Sequence, residues 1–307
     1  MRLNELLKSK FLIEEAILDI QRLTDNPSEL GDYLINEKLP LFILTFNHKR
    51  ADIAVADVFK NIARIIFVCS TDDPYLENFK IELKDHEEIL IFNKADYVGD
   101  VTQNGDDHGL TYPYNQCGCF ARRFIDDYTQ KNNLQHYMVT DNDLKIGIRK
   151  YDGKRYPMDD STLSNAVRTY FYILDKYDAH FSWLNAATLH GEIGGKIYKD
   201  QFDVANLMFY FHNKPIFWRS RIHDDFLTTF LTLRDTGRMA FSFPYLRAEP
   251  IAKEFHGDMT NAYDALGDDK FFNYDLYFFP ELREVIEKKK KLTKSPVLKS
   301  LLNKDKP

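Results

Sequence analysis

Asp141-Asn142-Asp143 ends the apolar run His136-Tyr137-Met138-Val139-Thr140 and is the sharpest local signal in the chain. Two carboxylates at i and i+2 on a strand terminus can both reach one ligand pocket. Mg2+ and Mn2+ take one or two carboxylates and fill the rest of their shell with substrate phosphate oxygens, so the spacing suits a metal–nucleotide complex. Asp and Asn are also the common turn residues, and the same triplet reads as a strand-ending turn. A second acidic pair, Asp224-Asp225, follows His223 and precedes Leu227 to Leu233, with Gly237 beyond. These two acids open a helix where the macrodipole favours them, or serve only as its N-cap. Gly191, Gly194 and Gly195 precede a strand-like Lys196-Ile197-Tyr198 and let backbone approach a ligand closely. His256, in Glu254-Phe255-His256-Gly257-Asp258, reads by itself as an ordinary histidine. Cys117 and Cys119 are too close together for a zinc knuckle and read as thiols on a loop. The chain has no phosphate loop, no Gly-x-Gly-x-x-Gly after its first strand and no His-Glu-x-x-His.

The elements that must position these residues show in the apolar pattern. Residues 1–38 read as one or two helices, with Phe11, Leu12, Ile13, Ala16, Ile17, Leu18 and Ile20 near helical spacing and a break at Asn26-Pro27-Ser28. Leu39 to Thr45 is a short apolar run of the kind a buried strand needs. A helix follows over Ala51 to Asn61. A second run, Ile65 to Cys69, ends in Ser70-Thr71-Asp72-Asp73-Pro74, and a third, Ile89 to Phe92, ends in Asn93-Lys94. Residues 99–119 read as a long loop, Phe120 to Lys131 as a helix, and His136 to Thr140 as a fourth strand. Alternating strands and helices predict an open, mostly parallel sheet with helices on its faces. Ligands sit beyond the carboxyl ends of such strands, which singles out Thr45, Asn47, Arg50, Asp72 and Asp73. Residues 144–280 are mixed and rich in aromatics. A tail from 281 starts as a helix, Glu281 to Lys291, and then loses periodicity.

At 307 residues, with 44% hydrophobic and 29% charged residues, the chain can bury a sizeable core and has the composition of a globular protein. No apolar run approaches the roughly 18 residues of a membrane helix. Met1-Arg2-Leu3-Asn4-Glu5 opens a charge-rich amphipathic stretch rather than a signal segment. Three cysteines cannot all pair, which points to a reducing, cytoplasmic setting. The net charge of −6 argues against coating nucleic acid by bulk attraction. Residues 281–307 hold nine Lys or Arg against four Asp or Glu, a surplus of five, which leaves −11 on residues 1–280. An acidic body with a basic tail is compatible with a metal site and with weak steering of a polyanion.

Taken in order, these segments resemble the nucleotide-sugar glycosyltransferases of the GT-A fold, over about residues 39–260. The first strand ends in Leu44-Thr45-Phe46-Asn47-His48-Lys49-Arg50, and a helix begins with Ala121-Arg122-Arg123. Asp141-Asn142-Asp143 stands as the metal-binding Asp-x-Asp. Gly191 to Gly195, Asp224-Asp225 and His256 stand as the glycine-rich loop, the acidic helix start and the late metal-binding histidine. Within that fold the texture is most like the phage TET-associated DNA-base glycosyltransferases. The cues are Ala121 to Tyr128, Tyr137 to Asp143, and His223-Asp224-Asp225-Phe226. Arg123 stands where the family usually has Asn, and Asp224 where Glu is commoner. The resemblance implies an N-terminal helical extension (1–38), a GT-A domain (39–280, with a nucleotide-sugar half 39–150 and an acceptor half 151–280) and a basic tail (281–307).

It also implies roles. Thr45, Asn47, Arg50 and Asp73 would line base and ribose, Arg122 would lie near the phosphates, and Gly194 and Gly195 would approach the donor. Asp141, Asp143 and His256 would hold Mn2+ or Mg2+ against the diphosphate of a UDP-sugar, with Asp141 also facing ribose or sugar. Asp225, with Asp224 second, would be the general base toward the acceptor hydroxyl of an inverting enzyme. For a DNA acceptor carrying hydroxymethylated pyrimidine, phosphate contacts would come from Arg149, Lys150, Lys154, Arg155 and Lys288 to Lys291. Trp218, Arg219 and Arg221 would supply a stacking surface; each of these also reads as a solvated charge or a core tryptophan. No membrane partner is expected, and the oligomeric state is not legible. Two other readings share the fold: an enzyme acting on a protein, glycan or lipid-carrier acceptor, and a binding protein without turnover.

Overall fold

The structure is a computed structural model and describes residues 15–16, 18–46, 54–83, 88–97, 118–142, 144–148, 159–177, 181–186, 207–211, 240–250 and 283. Eight strands are present among them: β1 (Leu39–Leu44), β2 (Ala63–Ser70), β3 (Glu88–Phe92), β4 (His136–Asp141), β5 (Leu144–Ile148), β6 (Phe181–Ala186), β7 (Leu207–Phe211) and β8 (Ala240–Pro250). The helices are α1 (residues 18–25), α2 (Ala54–Phe59), α3 (Leu76–Leu83), α4 (Gly118–Lys131) and α5 (Asp160–Lys176).

The strands form one sheet in the order β3-β2-β1-β4-β7-β6-β8-β5. The first four are parallel, with Leu41 to Leu44 of β1 in register with Met138 to Asp141 of β4 on one side and Leu39 to Leu44 with Ala63 to Val68 of β2 on the other. Beyond β4 the sheet is mixed: β7 runs antiparallel to β4 and to β6, β6 is parallel to β8, and β5 closes the edge antiparallel to β8. This is the mixed, mostly parallel sheet with helices against it that the sequence predicts.

The burial explains why the first strands were legible. Every residue of β1 is buried, as is all of β2 except Arg64, so each reads as a continuous apolar run rather than an alternating one. β3, at the sheet's edge, is half-buried and leaves Ile91 exposed. Pro40 sits inside a central strand, an unusual place for a residue without an N–H. It is tolerated because the ladder to β4 begins one residue later, at Leu41. α4 lies against β1 and β2, and an aromatic line runs across it from β3 to β1: Phe92 stacks on Phe124 at 5.2 Å between centroids, Phe124 meets Tyr128, and Tyr128 meets Phe42 edge-on.

Two expectations shift. The helix predicted over 51–61 is α2, and its chain turns at 60–62 after Phe59. The loop predicted over 99–119 stops short: α4 starts at Gly118, and Cys119 is a fully buried helical residue rather than a loop thiol. Two helical turns on, at i+7, the buried Asp126 lies on the same face, and the adjacent Phe120 and Ala121 are buried as well, so this start of α4 is enclosed and suits a small apolar side chain.

The described part of residues 1–38 shares the main core: Ala16, Ile20, Leu23 and Leu30 belong to the same buried cluster as the sheet. α1 and a short 3-10 turn (Pro27–Leu30) lead into a turn over 31–36. The buried Arg168 of α5 holds that turn, donating from Nε to the Tyr33 carbonyl at 2.6 Å and from Nη2 to the Gly31 carbonyl. Gly31 takes φ +52°, a left-handed conformation that suits a residue without Cβ. α5 starts on Asp159, whose carboxylate accepts the Thr162 N–H at 2.7 Å. No helix of the described residues is long and apolar enough to cross a membrane.

Candidate functional site

The strand order defines where a ligand fits. From β1 the chain moves outward through β2 to β3, and then returns to place β4 on the other side of β1. The strand order therefore reverses at β1, and the space beyond the carboxyl ends of β1 and β4 is where an open sheet of this order places its ligand crevice. Leu44, the last residue of β1, is in register with Asp141, the last of β4. The residues that follow both strands face each other there.

Two side-chain pairs meet at this crevice. Asn142 donates from Nδ2 to Thr45 Oγ1 at 3.4 Å, bridging the loops that follow β4 and β1, and both residues are buried. Arg122 of α4 extends Nη2 to within 3.1 Å of Asp141 Oδ1. The Arg122 side chain is 10% exposed and that of Asp141 34%, so the carboxylate is the member of the pair that solvent and ligands can reach. α4 brings Arg122 here because a helix between two parallel strands runs back antiparallel to them, which puts its first turns at their carboxyl edge.

A second group lies beyond β1, β2 and β3. Lys94, buried just after β3, sits 3.2 Å from Asp72 Oδ1, and its ammonium lies 3.6 Å above the Phe46 ring centroid. Ser70 donates to the Asp72 carboxylate, and Asp73 accepts the Tyr75 N–H at 2.8 Å, an Asx turn leading into α3. Cys69 of β2 is buried, and that burial, reinforced by the nearby Asp73 carboxylate, pushes its thiol up to about 12.

Of the residues expected at the donor site, Thr45, Asp73, Arg122 and Asp141 are described. Thr45, Arg122 and Asp141 come together at the β1/β4 crevice, and Asp73 lies buried at the end of neighbouring β2. Asn47, Arg50, Asp143, Arg149, Lys154, Arg155, Gly194, Gly195, Trp218, Arg219, Arg221, Asp224, Asp225 and His256 lie outside the described residues, as do the helix after Asp225 and most of the basic tail. Sequence reasoning passed over Asn142, Phe46 and Lys94. Lys94 read only as the polar end of a strand, although a lysine at a carboxyl edge is a signal worth reading.

The hard oxygen donor Asp141, partly exposed at the crevice, fits Mg2+ or Mn2+. Asp143 and His256 would complete its set. Among the described residues no three His, Cys, Asp or Glu side chains gather around one cation position.

No protein-family model matches the chain, and no curated protein matches its sequence. Solved structures similar to it include the glucosyl-3-phosphoglycerate synthase of Mycobacterium tuberculosis with Mg2+ and uridine diphosphate, at 10% identity and TM-score 0.46, covering 79% of each chain. The same enzyme with Mn2+, UDP-glucose and phosphoglyceric acid gives 10% identity and TM-score 0.41 over 68% of this chain and 70% of that one. The mannose-1-phosphate geranyltransferase of Thermus thermophilus gives 11% identity and TM-score 0.33, over 87% and 68%. These are loose superpositions, and the site above stands on its own residues.

Proposed function

We propose that the chain is a metal-dependent glycosyltransferase of the GT-A kind, with a UDP-sugar as donor and the hydroxymethyl group of a modified pyrimidine in DNA as acceptor. The observation that carries the donor half is the meeting of Asp141, Arg122 and Thr45 at the crevice where the strand order reverses. A partly exposed carboxylate beside a largely buried guanidinium suits a ligand that brings both a cation and a diphosphate. The acceptor half is supported by the sequence cues in Ala121 to Tyr128, Tyr137 to Asp143 and His223 to Phe226.

In this reading Thr45 and the Asn142 amide fix the width of the crevice for the nucleoside, and Asp73 rigidifies the neighbouring turn. Arg122 neutralises phosphate charge as it builds up on the departing UDP. Asp141, Asp143 and His256 would hold Mn2+ or Mg2+. When bound, the ion supplies Lewis-acid stabilisation to the leaving diphosphate. Asp225, with Asp224 as the other candidate, takes the proton from the acceptor hydroxyl as the sugar is transferred with inversion.

The test is incubation with Mn2+, a panel of UDP-sugars and DNA carrying hydroxymethylated pyrimidines, followed by mass spectrometry of the digested nucleosides. A hexose or pentose mass on the modified nucleoside is the expected result. Metal-dependent release of UDP without that adduct would discard the DNA acceptor and favour a protein, glycan or lipid-carrier acceptor. Neither product would leave a binding protein without turnover.

A further inference from the structure

We propose that Arg122 stands in for the divalent cation: in the donor-free protein its guanidinium holds Asp141, and the metal reaches that carboxylate only together with a diphosphate that draws the guanidinium away. The inference rests on the glycosyltransferase reading and adds an order of binding to it.

The charges along the carboxyl edge carry it. Two carboxylates described there face a cation: Asp72 lies 3.2 Å from Lys94, and Asp141 lies 3.1 Å from Arg122. Arg123, the next residue on α4, directs its charge along the helix to Asp126 at 3.1 Å and Asp127 at 3.5 Å. Arg122 is therefore the arginine of this helix start that answers Asp141. A divalent ion held by Asp141 would make two positive groups share one carboxylate.

The exposures decide which group gives way. The Arg122 side chain is nine-tenths buried, on a helix whose neighbouring Ala121 and Ile125 are buried as well, so its head can turn but the side chain stays at the crevice. Asp141 is a third exposed and can accept a new partner. A metal arriving alone meets a carboxylate that is already neutralised. A nucleoside diphosphate changes this, because its oxygens can take the guanidinium as a bidentate partner and ligate the ion as well. Metal and diphosphate then strengthen each other's binding by one shared factor.

Titration of the full chain with Mn2+, read as loss of the free-ion electron paramagnetic resonance signal with and without UDP, tests this. The wild type should bind Mn2+ weakly alone and about a hundredfold more tightly with UDP. Arg122→Gln should bind Mn2+ alone about tenfold more tightly, with the UDP enhancement reduced by a similar factor, and Arg122→Lys, which keeps the charge but not the bidentate fork, should bind Mn2+ alone as weakly as the wild type and keep only part of the UDP enhancement. A second variant covers the case in which Arg122→Gln does not fold: Asp141→Asn releases the guanidinium and should bind metal-free UDP several-fold more tightly. Unchanged Mn2+ affinity in Arg122→Gln, or unchanged metal-free UDP affinity in Asp141→Asn, overturns the exchange while leaving the glycosyltransferase reading in place. UDP without effect on Mn2+ binding in the wild type overturns both.

Discussion

One six-residue strand, β4, ends in two polar clusters of opposite character. At its carboxyl end Asp141 meets Arg122, and Asn142 beyond it meets Thr45. At its amino end, some 17 Å away by strand rise, His136 Nε2 stands 3.2 Å from Asp175 Oδ1 of α5. The other oxygen of Asp175 accepts the Tyr33 hydroxyl. The Tyr33 ring also packs edge-on to His136 and Tyr172, and burial together with the Asp175 bond raises its hydroxyl well above the ordinary tyrosine range. Close by, Asp19 takes Lys176, Tyr177 at 2.6 Å and Arg22 at 3.0 Å. The amino-end cluster ties residues 15–37 to α5, its members are distant in sequence, and their donors and acceptors are matched to one another. The carboxyl-end cluster joins residues at the mouths of strands and leaves a carboxylate partly open. Matched polar groups hold a fold together, whereas a charge pair left open at a topological switch point is available for exchange.

The sharpest way to break this comparison is to remove one member at each end. Asp141→Ala should lower sugar-nucleotide turnover by about 10^2–10^3-fold, with the melting temperature nearly unchanged, because the side chain is partly solvated. Comparable turnover in this variant would remove Asp141 from the site. Arg168→Ala should do the converse. It takes the guanidinium donor from the Gly31 and Tyr33 carbonyls and removes a buried side chain, at a cost of about 2–4 kcal/mol in denaturant unfolding. The folded fraction should keep its affinity for UDP.

Much of the first half of the fold is legible in the sequence because buried parallel strands are short, continuous apolar runs with polar punctuation. Leu39 to Leu44 and Ile65 to Cys69 show this directly, and the half-buried edge strand keeps the same apolar run in Ile89 to Phe92. The side chains that close the site are legible singly but not as pairs. Nothing in the spacing of Arg122 and Asp141 says that α4 will bring them within 3.1 Å. Lys94 over Phe46 depends on the register of β3 against β2 and of β2 against β1, and Tyr33 with Asp175 joins positions 142 apart. The pairing of β5 with β8 is of the same kind, since a register between distant segments leaves no local periodicity.

Two smaller effects sharpen the contrast. Asn142→Ala loses one long hydrogen bond to Thr45 and should weaken UDP binding by about fivefold, consistent with roughly 1 kcal/mol. At the other end, burial pushes the Asp19 carboxyl up, but hydrogen bonds from Lys176, Tyr177 and Arg22 outweigh it and hold the group below the usual carboxylate range. A carboxyl depressed in the folded state adds stability above its unfolded value, about pH 4, and that stability is lost as the pH falls through the folded value. Asp19→Asn should therefore be less stable than the wild type at neutral pH and converge with it below about pH 4 in acid titrations of unfolding. A constant difference down to the lowest pH would remove Asp19 from that tie.

Calorimetric titration of UDP in the presence of Mn2+ tests the central claim most directly, on the wild type, Asp141→Ala and Tyr33→Phe. The crevice beyond β1 and β4 is the donor site if the wild type and Tyr33→Phe bind UDP alike and Asp141→Ala loses binding by about a hundredfold. Wild-type affinity in Asp141→Ala would contradict it.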